Sequence, residues 1–126
     1  MTVLVVEDNA SVRRLLRRAI DQVATQIWEC ADGVEALSLY SDHRPDIVLM
    51  DIRMPRMDGL AATRQIRQFD PTARILIVTD CDDDELRVAA REAGACGFTL
   101  KENLTELASM IKTLWLQSSE KPFCED

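Results

Sequence analysis

Glycine is scarce in this chain, with four in 126 residues, and none stands in a Gly-x-Gly-x-x-Gly run. Nucleotide or flavin binding through a phosphate-cradling loop therefore finds no support. Histidine is rarer: the single His43 precedes the Arg44-Pro45 turn and reads as a surface residue. Four cysteines (Cys30, Cys81, Cys96, Cys124) show no Cys-x-x-Cys spacing and no companion histidines. Without a secretion signal they read as reduced thiols of a cytoplasmic protein, Cys30 and Cys96 in the core and Cys81 nearer the surface. No apolar run approaches the roughly 20 residues that span a bilayer. The N-terminus lacks a basic leader and reaches Glu7-Asp8 early, which argues against a signal peptide and a membrane partner. Positive charge is also short. Fifteen basic residues face 22 acidic ones, for a net charge of -7, which argues against direct nucleic-acid binding. Arg13, Arg14, Arg17 and Arg18 cluster, but among apolar residues in one expected helix, as a solvated face would place them.

What the chain does have is a series of short apolar runs. With 47% hydrophobic and 29% charged residues, its composition is that of one globular domain. The central run is Asp46-Ile47-Val48-Leu49-Met50-Asp51. It is too brief for a helix and rich in branched residues, so it reads as a strand buried on both faces. Similar runs are expected at 3–6, 26–30, 74–79 and 96–100, the second of them less apolar and nearer an edge. Between them lie helical periodicities. Val12, Leu15, Leu16, Ala19, Ile20 and Val23 form one stripe behind an Asn9 cap. Val34, Leu37 and Tyr40 follow Asp32-Gly33, and Leu60, Thr63 and Ile66 follow Asp58-Gly59. Leu86, Ala89, Ala90 and Ala93 lie behind an Asp82 cap with Gly94 as terminator. Leu104, Leu107, Ala108, Ile111 and Trp115 lie behind an Asn103 cap. Five strands alternating with five helices predict an α/β fold: a parallel sheet with helices on both faces.

In a parallel sheet the strand ends share one edge. Just past them stand Glu7 and Asp8, then Asp51, Thr79 and Lys101. Like carboxylates 4 Å apart repel by about 4 kcal/mol at an effective dielectric near 20. Such a cluster raises a carboxyl pKa or binds a divalent ion. All-oxygen ligands favour Mg²⁺, and a hydroxyl and an ammonium beside it suit a transferring phosphoryl group. The chemistry indicated is attack by Asp51 on phosphorus to form an aspartyl phosphate.

The run Val3-Leu4-Val5-Val6-Glu7-Asp8, the segment Asp51-Ile52-Arg53-Met54-Pro55-Arg56-Met57-Asp58-Gly59, Thr79, and Gly97-Phe98-Thr99-Leu100-Lys101 together carry a specific resemblance. Over residues 2–117 the chain resembles the receiver domain of bacterial two-component response regulators. The resemblance implies a doubly wound, flavodoxin-like sheet of order 2-1-3-4-5, with a receiver domain over 1–118 and a polar tail over 119–126. It implies Asp51 as phosphoacceptor, Mg²⁺ held by Glu7, Asp8, Asp51 and the Arg53 backbone carbonyl, and Lys101 and Thr79 on the phosphoryl oxygens. Thr79 and Phe98 would be the switch pair, acting on the surface of the fourth helix, fifth strand and fifth helix, which would also be a homodimer face. The partners implied are a sensor histidine kinase or phosphotransfer protein and an output protein that the sequence does not name. The chain would promote its own phosphorylation and dephosphorylation without turning over separate substrates.

Three positions depart from the pattern. Lys101 is followed by Glu102 instead of proline, and since a cis bond there costs roughly 2.5–4 kcal/mol, a trans bond or a strained loop is expected. Glu102 also resembles the subgroup whose receivers precede a helix-turn-helix domain, so the chain is either a stand-alone receiver or a receiver fragment of a DNA-binding regulator. Asp80 follows Thr79, either crowding the phosphoryl pocket or pointing outward as a loop acid. Arg53 and Cys81 occupy the positions that, by resemblance, tune phosphoryl hydrolysis. A haloacid-dehalogenase type of enzyme would want an acid where Arg53 stands. An interaction module that is never phosphorylated would have lost site residues, and here the set is present.

Overall fold

A computed structural model describes residues 1–54 and 56–120. Its strands, β1 (Thr2–Val6), β2 (Gln26–Cys30), β3 (Ile47–Met50), β4 (Ile75–Thr79) and β5 (Gly97–Leu100), are all parallel, in the order β2-β1-β3-β4-β5. Strands β3 and β4 lie inside the sheet and are buried at every residue. That is why they read as unbroken apolar runs. The β2 edge is exposed or half-buried at four of its five positions, consistent with its weaker run.

Side chains along each strand alternate between two faces, and the helices divide accordingly. Helices α1 (Ala10–Ile20) and α5 (Leu107–Glu120) cover one face, where Leu16, Ile20, Leu107 and Ile111 pack with Val3, Val5, Leu49 and Leu76. Helices α2 (Gly33–His43), α3 (Gly59–Phe69) and α4 (Asp84–Ala93) cover the other, where Ala36, Tyr40, Ala62, Ile66 and Ala90 meet Leu4, Val6, Val48 and Ile77. Cap chemistry sets the helix starts. Asn9 accepts from the Ser11 and Val12 N–H groups, Asp32 from Glu35, and Asp58 from Ala61. Gly94, at φ 105°, ends α4 in the left-handed region that glycine enters without strain.

Several expectations need correction. The cap of α4 is Asp83, which accepts from the Glu85 N–H, while Asp82 pairs with Arg87 at 3.2 Å. In a run of acids any of them can cap, and packing of the apolar face chooses the register. Asn103 caps no helix: Lys101–Glu106 form a 3-10 turn with a kink at Asn103, and α5 begins at Leu107. Leu15 and Val34 stand 50% and 43% exposed, because each helix stripe is narrower than the apolar residues available to it. Cys96 is exposed just before β5, whereas Cys30 is buried, which pushes its thiol pKa up to about 12. His43 lies on the surface, stacked on Trp28. No cis peptide occurs among the described residues, so the Lys101–Glu102 bond is trans. Helix α5 reaches Glu120; Cys124 and the rest of the expected tail lie outside the described residues.

Candidate functional site

The C-terminal edge of the sheet brings the strand-end residues together through the ladder itself. The Glu7 N–H donates to the Cys30 carbonyl at 3.1 Å, and the Asp51 N–H donates to the Val6 carbonyl at 2.9 Å. Pairing thus continues one residue beyond β1 and β3, which fixes both carboxylates side by side. Glu7 and Asp51 are 1% and 5% exposed, while Asp8 stands in solvent at the mouth. One oxygen from each of the three lies within 4.8 Å of the others.

Lys101, first residue after β5, reaches across β4 with its long side chain. Its Nζ lies 2.9 Å from Glu7 Oε1 and 3.3 Å from Asp51 Oδ1. Burial pushes the carboxyl pKa of Glu7 up despite the Lys101 ammonium, and burial likewise outweighs Lys101 at Asp51. Burial alone would lower the Lys101 pKa, but the two acids hold it above its usual value. Three carboxylates against one ammonium leave the cluster with two negative charges when all are ionised.

The walls of this open cleft, of about 290 Å³, are Glu7, Asp8, Asn9, Val12, Asp51, Arg53, Asp80 and Lys101. Asp80 is exposed and stands on the rim of the same cleft. Thr79 is buried at the end of β4, where its Oγ1 accepts the Cys81 N–H at 3.3 Å. Phe98 is not part of the cleft. It is half-buried in a separate groove between α4 and β5, with the Arg87 guanidinium 4.5 Å from its ring centre.

Sequence reasoning passed over several contributors. The Asn9 N–H donates to Glu7 Oε2 at 3.2 Å, and Arg13 donates to the Glu7 carbonyl at 2.7 Å. Gly59 packs directly beneath Asp51: a Cβ there would lie 1.8 Å from the Asp51 carbonyl oxygen. Asn9 and Gly59 each carried a visible local signal, a cap and a turn, which concealed the second role.

The donor set fits a hard divalent cation. Glu7 Oε1 is enclosed and, among the described residues, receives no well-aligned hydrogen bond, only the ammonium charge. Oxygen ligands without thiol or imidazole match Mg²⁺.

The family model described as the response regulator receiver domain matches residues 3–112. The chain belongs to the response regulator receiver family. It is 38% identical over 115 residues to the response regulator MprA of a Mycobacterium species (strain KMS), covering 87% of this chain and 50% of that protein. It is 39% identical over 99 residues to the chemotaxis protein CheY of Halobacterium salinarum, covering 79% and 82%. A solved two-component response regulator of the LuxR family from an Aurantimonas species superposes with a TM-score of 0.86 at 38% identity, covering 92% and 85%. This receiver spans about half the length of the mycobacterial relatives it matches. Receiver domains bind Mg²⁺ in an acidic pocket, and this chain carries an acidic cluster of Glu7, Asp8 and Asp51 at the end of its sheet. Among the described residues no helix is long and apolar enough to cross a membrane.

Proposed function

We propose that this receiver accepts a phosphoryl group on Asp51 from a sensor histidine kinase or phosphotransfer protein and thereby switches a protein-interaction surface. The observation that carries this reading is the placement of Asp51. It is a buried carboxylate at a strand end, flanked by two further acids and touched by an ammonium. An Asp51 oxygen attacks phosphorus as a new O–P bond forms. The P–N bond of a phosphohistidine, or the P–O bond of acetyl phosphate, breaks, and its electron pair leaves with the donor. Mg²⁺, held by Glu7, Asp8, Asp51 and the Arg53 carbonyl, would offset charge on the phosphoryl oxygens. Lys101 gives its ammonium to one of those oxygens, exchanging part of its hold on Glu7 for the new anion. Thr79 turns its hydroxyl from the Cys81 N–H toward another. Glu7, too buried and too closely held to meet a donor, stays as a ligand.

The switch acts where Thr79 and Phe98 sit in neighbouring strands. As Thr79 turns inward, Phe98 gains room to leave Arg87 and the groove at α4, altering the face of α4, β5 and α5 presented to an output protein or a second copy. Phe98 has no hydroxyl and follows sterically. The protein works in the cytoplasm as a phosphoacceptor and turns over no separate substrate. The receiver domain extends at least through α5, which reaches Glu120.

Incubation with acetyl phosphate and Mg²⁺, read by intact mass, is expected to add one phosphoryl group to wild type and none to Asp51→Asn. Equal modification of both, or of neither, would sink the reading. A second reading is favoured by the half-length match to the mycobacterial regulators: the chain is the receiver portion of a longer DNA-binding regulator. Sequencing the gene past Asp126 decides between them.

A further inference from the structure

Between β3 and α3 the chain makes a closed excursion. The Gly59 N–H donates to the Ile52 carbonyl at 2.8 Å, so the two ends of the β3–α3 loop meet at nearly one point. At its turn Arg56 has a φ of 65°, the left-handed region that a side chain with a Cβ seldom occupies without an external hold. The hold is visible. Arg56 Nη2 and Nε both donate to Asp32 Oδ2, at 2.5 and 3.2 Å. Asp32 is no loose surface acid: its side chain is 10% exposed, and its other oxygen, Oδ1, caps α2 through the Glu35 N–H. Arg56 leads the causes that hold the Asp32 carboxyl below its usual range. Beside the pair, Gly33 stands so close that a Cβ would lie 2.6 Å from the Met57 carbonyl oxygen. The first turn of α2 therefore clamps the loop by a forked ion pair and by direct backbone contact.

That loop carries Arg53 on the wall of the acidic cleft. We infer that the Asp32–Arg56 pair is a latch that pre-organises the β3–α3 loop for cation binding, making both residues positioning residues that never touch the metal. The inference rests on the proposed reading of the cleft as a Mg²⁺ site. Mg²⁺ tolerates little deviation from octahedral geometry, and a loop ordered in advance spares the binding step the entropy of ordering it. Neither residue lines the cleft, so their influence has to travel through the loop backbone.

The test is a Mg²⁺ titration of the full chain, followed by amide NMR shifts, with metal-free melting of each variant. Asn caps helices as well as Asp does, so Asp32→Asn removes the charge while sparing α2. Arg56→Gln and Asp32→Asn are each expected to weaken Mg²⁺ binding about threefold to tenfold, less than loss of a group bonded directly to a ligand. The double variant is expected to be no weaker than either single one, and Arg56→Lys to recover part of the loss. Unchanged affinity in Arg56→Gln overturns the latch, as does a double variant whose loss is the product of the two. A wild-type chain with no response to Mg²⁺ would instead overturn the reading of the cleft, and the inference with it.

Discussion

Gly59 is the residue on which the geometry of Asp51 most directly depends. It needs no unusual backbone angle; it needs the absence of a side chain, because a Cβ would be driven into main-chain atoms of Asp51 and Ile52. Backbone cannot swing aside as a flexible side chain can. Gly59→Ala is therefore expected to destabilise the fold by about 2–3 kcal/mol, the range for overpacking a tight site. Denaturant unfolding checks this, and a loss below half that size would show that α3 can shift away. At Asp51 itself, charge is the issue. Its carboxyl pKa is raised above the ordinary 3.8, chiefly by burial, so the folded protein holds that proton more tightly than the unfolded chain. Stability from this group is then fullest below 3.8 and falls as pH rises through the raised value. Asp51→Asn is expected to raise the metal-free melting temperature near neutral pH by roughly 3–6 °C, corresponding to about 1 kcal/mol. The gain should shrink toward zero in acid. A variant that melts below wild type at pH 7 would show that the Lys101 contact outweighs burial.

At the scale of elements, legibility in the sequence followed burial. Strands β3 and β4 were readable because both faces are covered and every residue but the terminal Thr79 is apolar. The site was readable because Glu7-Asp8, Asp51 and Lys101 stand just past the ends of β1, β3 and β5. Helix starts were less so. Asp82, Asp83, Asp84 and Glu85 offer overlapping cap registers, and only packing of Leu86 and Ala90 against β5 and α3 selects Asp83. Asn103 offered a cap that the 3-10 turn after Lys101 preempts. Partners distant in sequence left no signal: Arg56 meets Asp32 24 residues away, and nothing in either local pattern announces it. The register of α4 can be tested. Asp83→Ala is expected to cost about 1 kcal/mol, the usual value of an N-cap. Asp82→Ala, which removes only an exposed pair with Arg87, is expected to change stability by less than about 0.5 kcal/mol. Chemical denaturation of both variants gives the comparison, and the reverse ranking would return the cap to Asp82.

For the molecule as a whole, the parallel sheet is what concentrates charge. Every strand ends at the same edge, so acids that follow separate strands, spread over some 45 residues of chain, become neighbours, and a protein already carrying a net charge of -7 brings oxygens of three carboxylates within 4.8 Å of one another. The metal-free fold is therefore held back by its own site, and a divalent cation that binds only the folded form should stabilise it by mass action, about 2.7 kcal/mol at a hundred times the dissociation constant. Protons compete for the same oxygens. Because burial raises the pKa of both Glu7 and Asp51, protons compete with Mg²⁺ for their oxygens to higher pH than at ordinary carboxyls, and that competition relaxes as pH rises. The rise in melting temperature produced by a fixed Mg²⁺ concentration is expected to be largest near pH 7 and above, and to diminish as pH falls through the raised carboxyl range. It should be nearly absent at every pH in Asp8→Asn and Asp51→Asn, because each removes a ligand. Calorimetric melts with and without Mg²⁺ across that range provide the measurement. A Mg²⁺ effect independent of pH, or one that survives both substitutions, would place the cation somewhere other than this edge of the sheet.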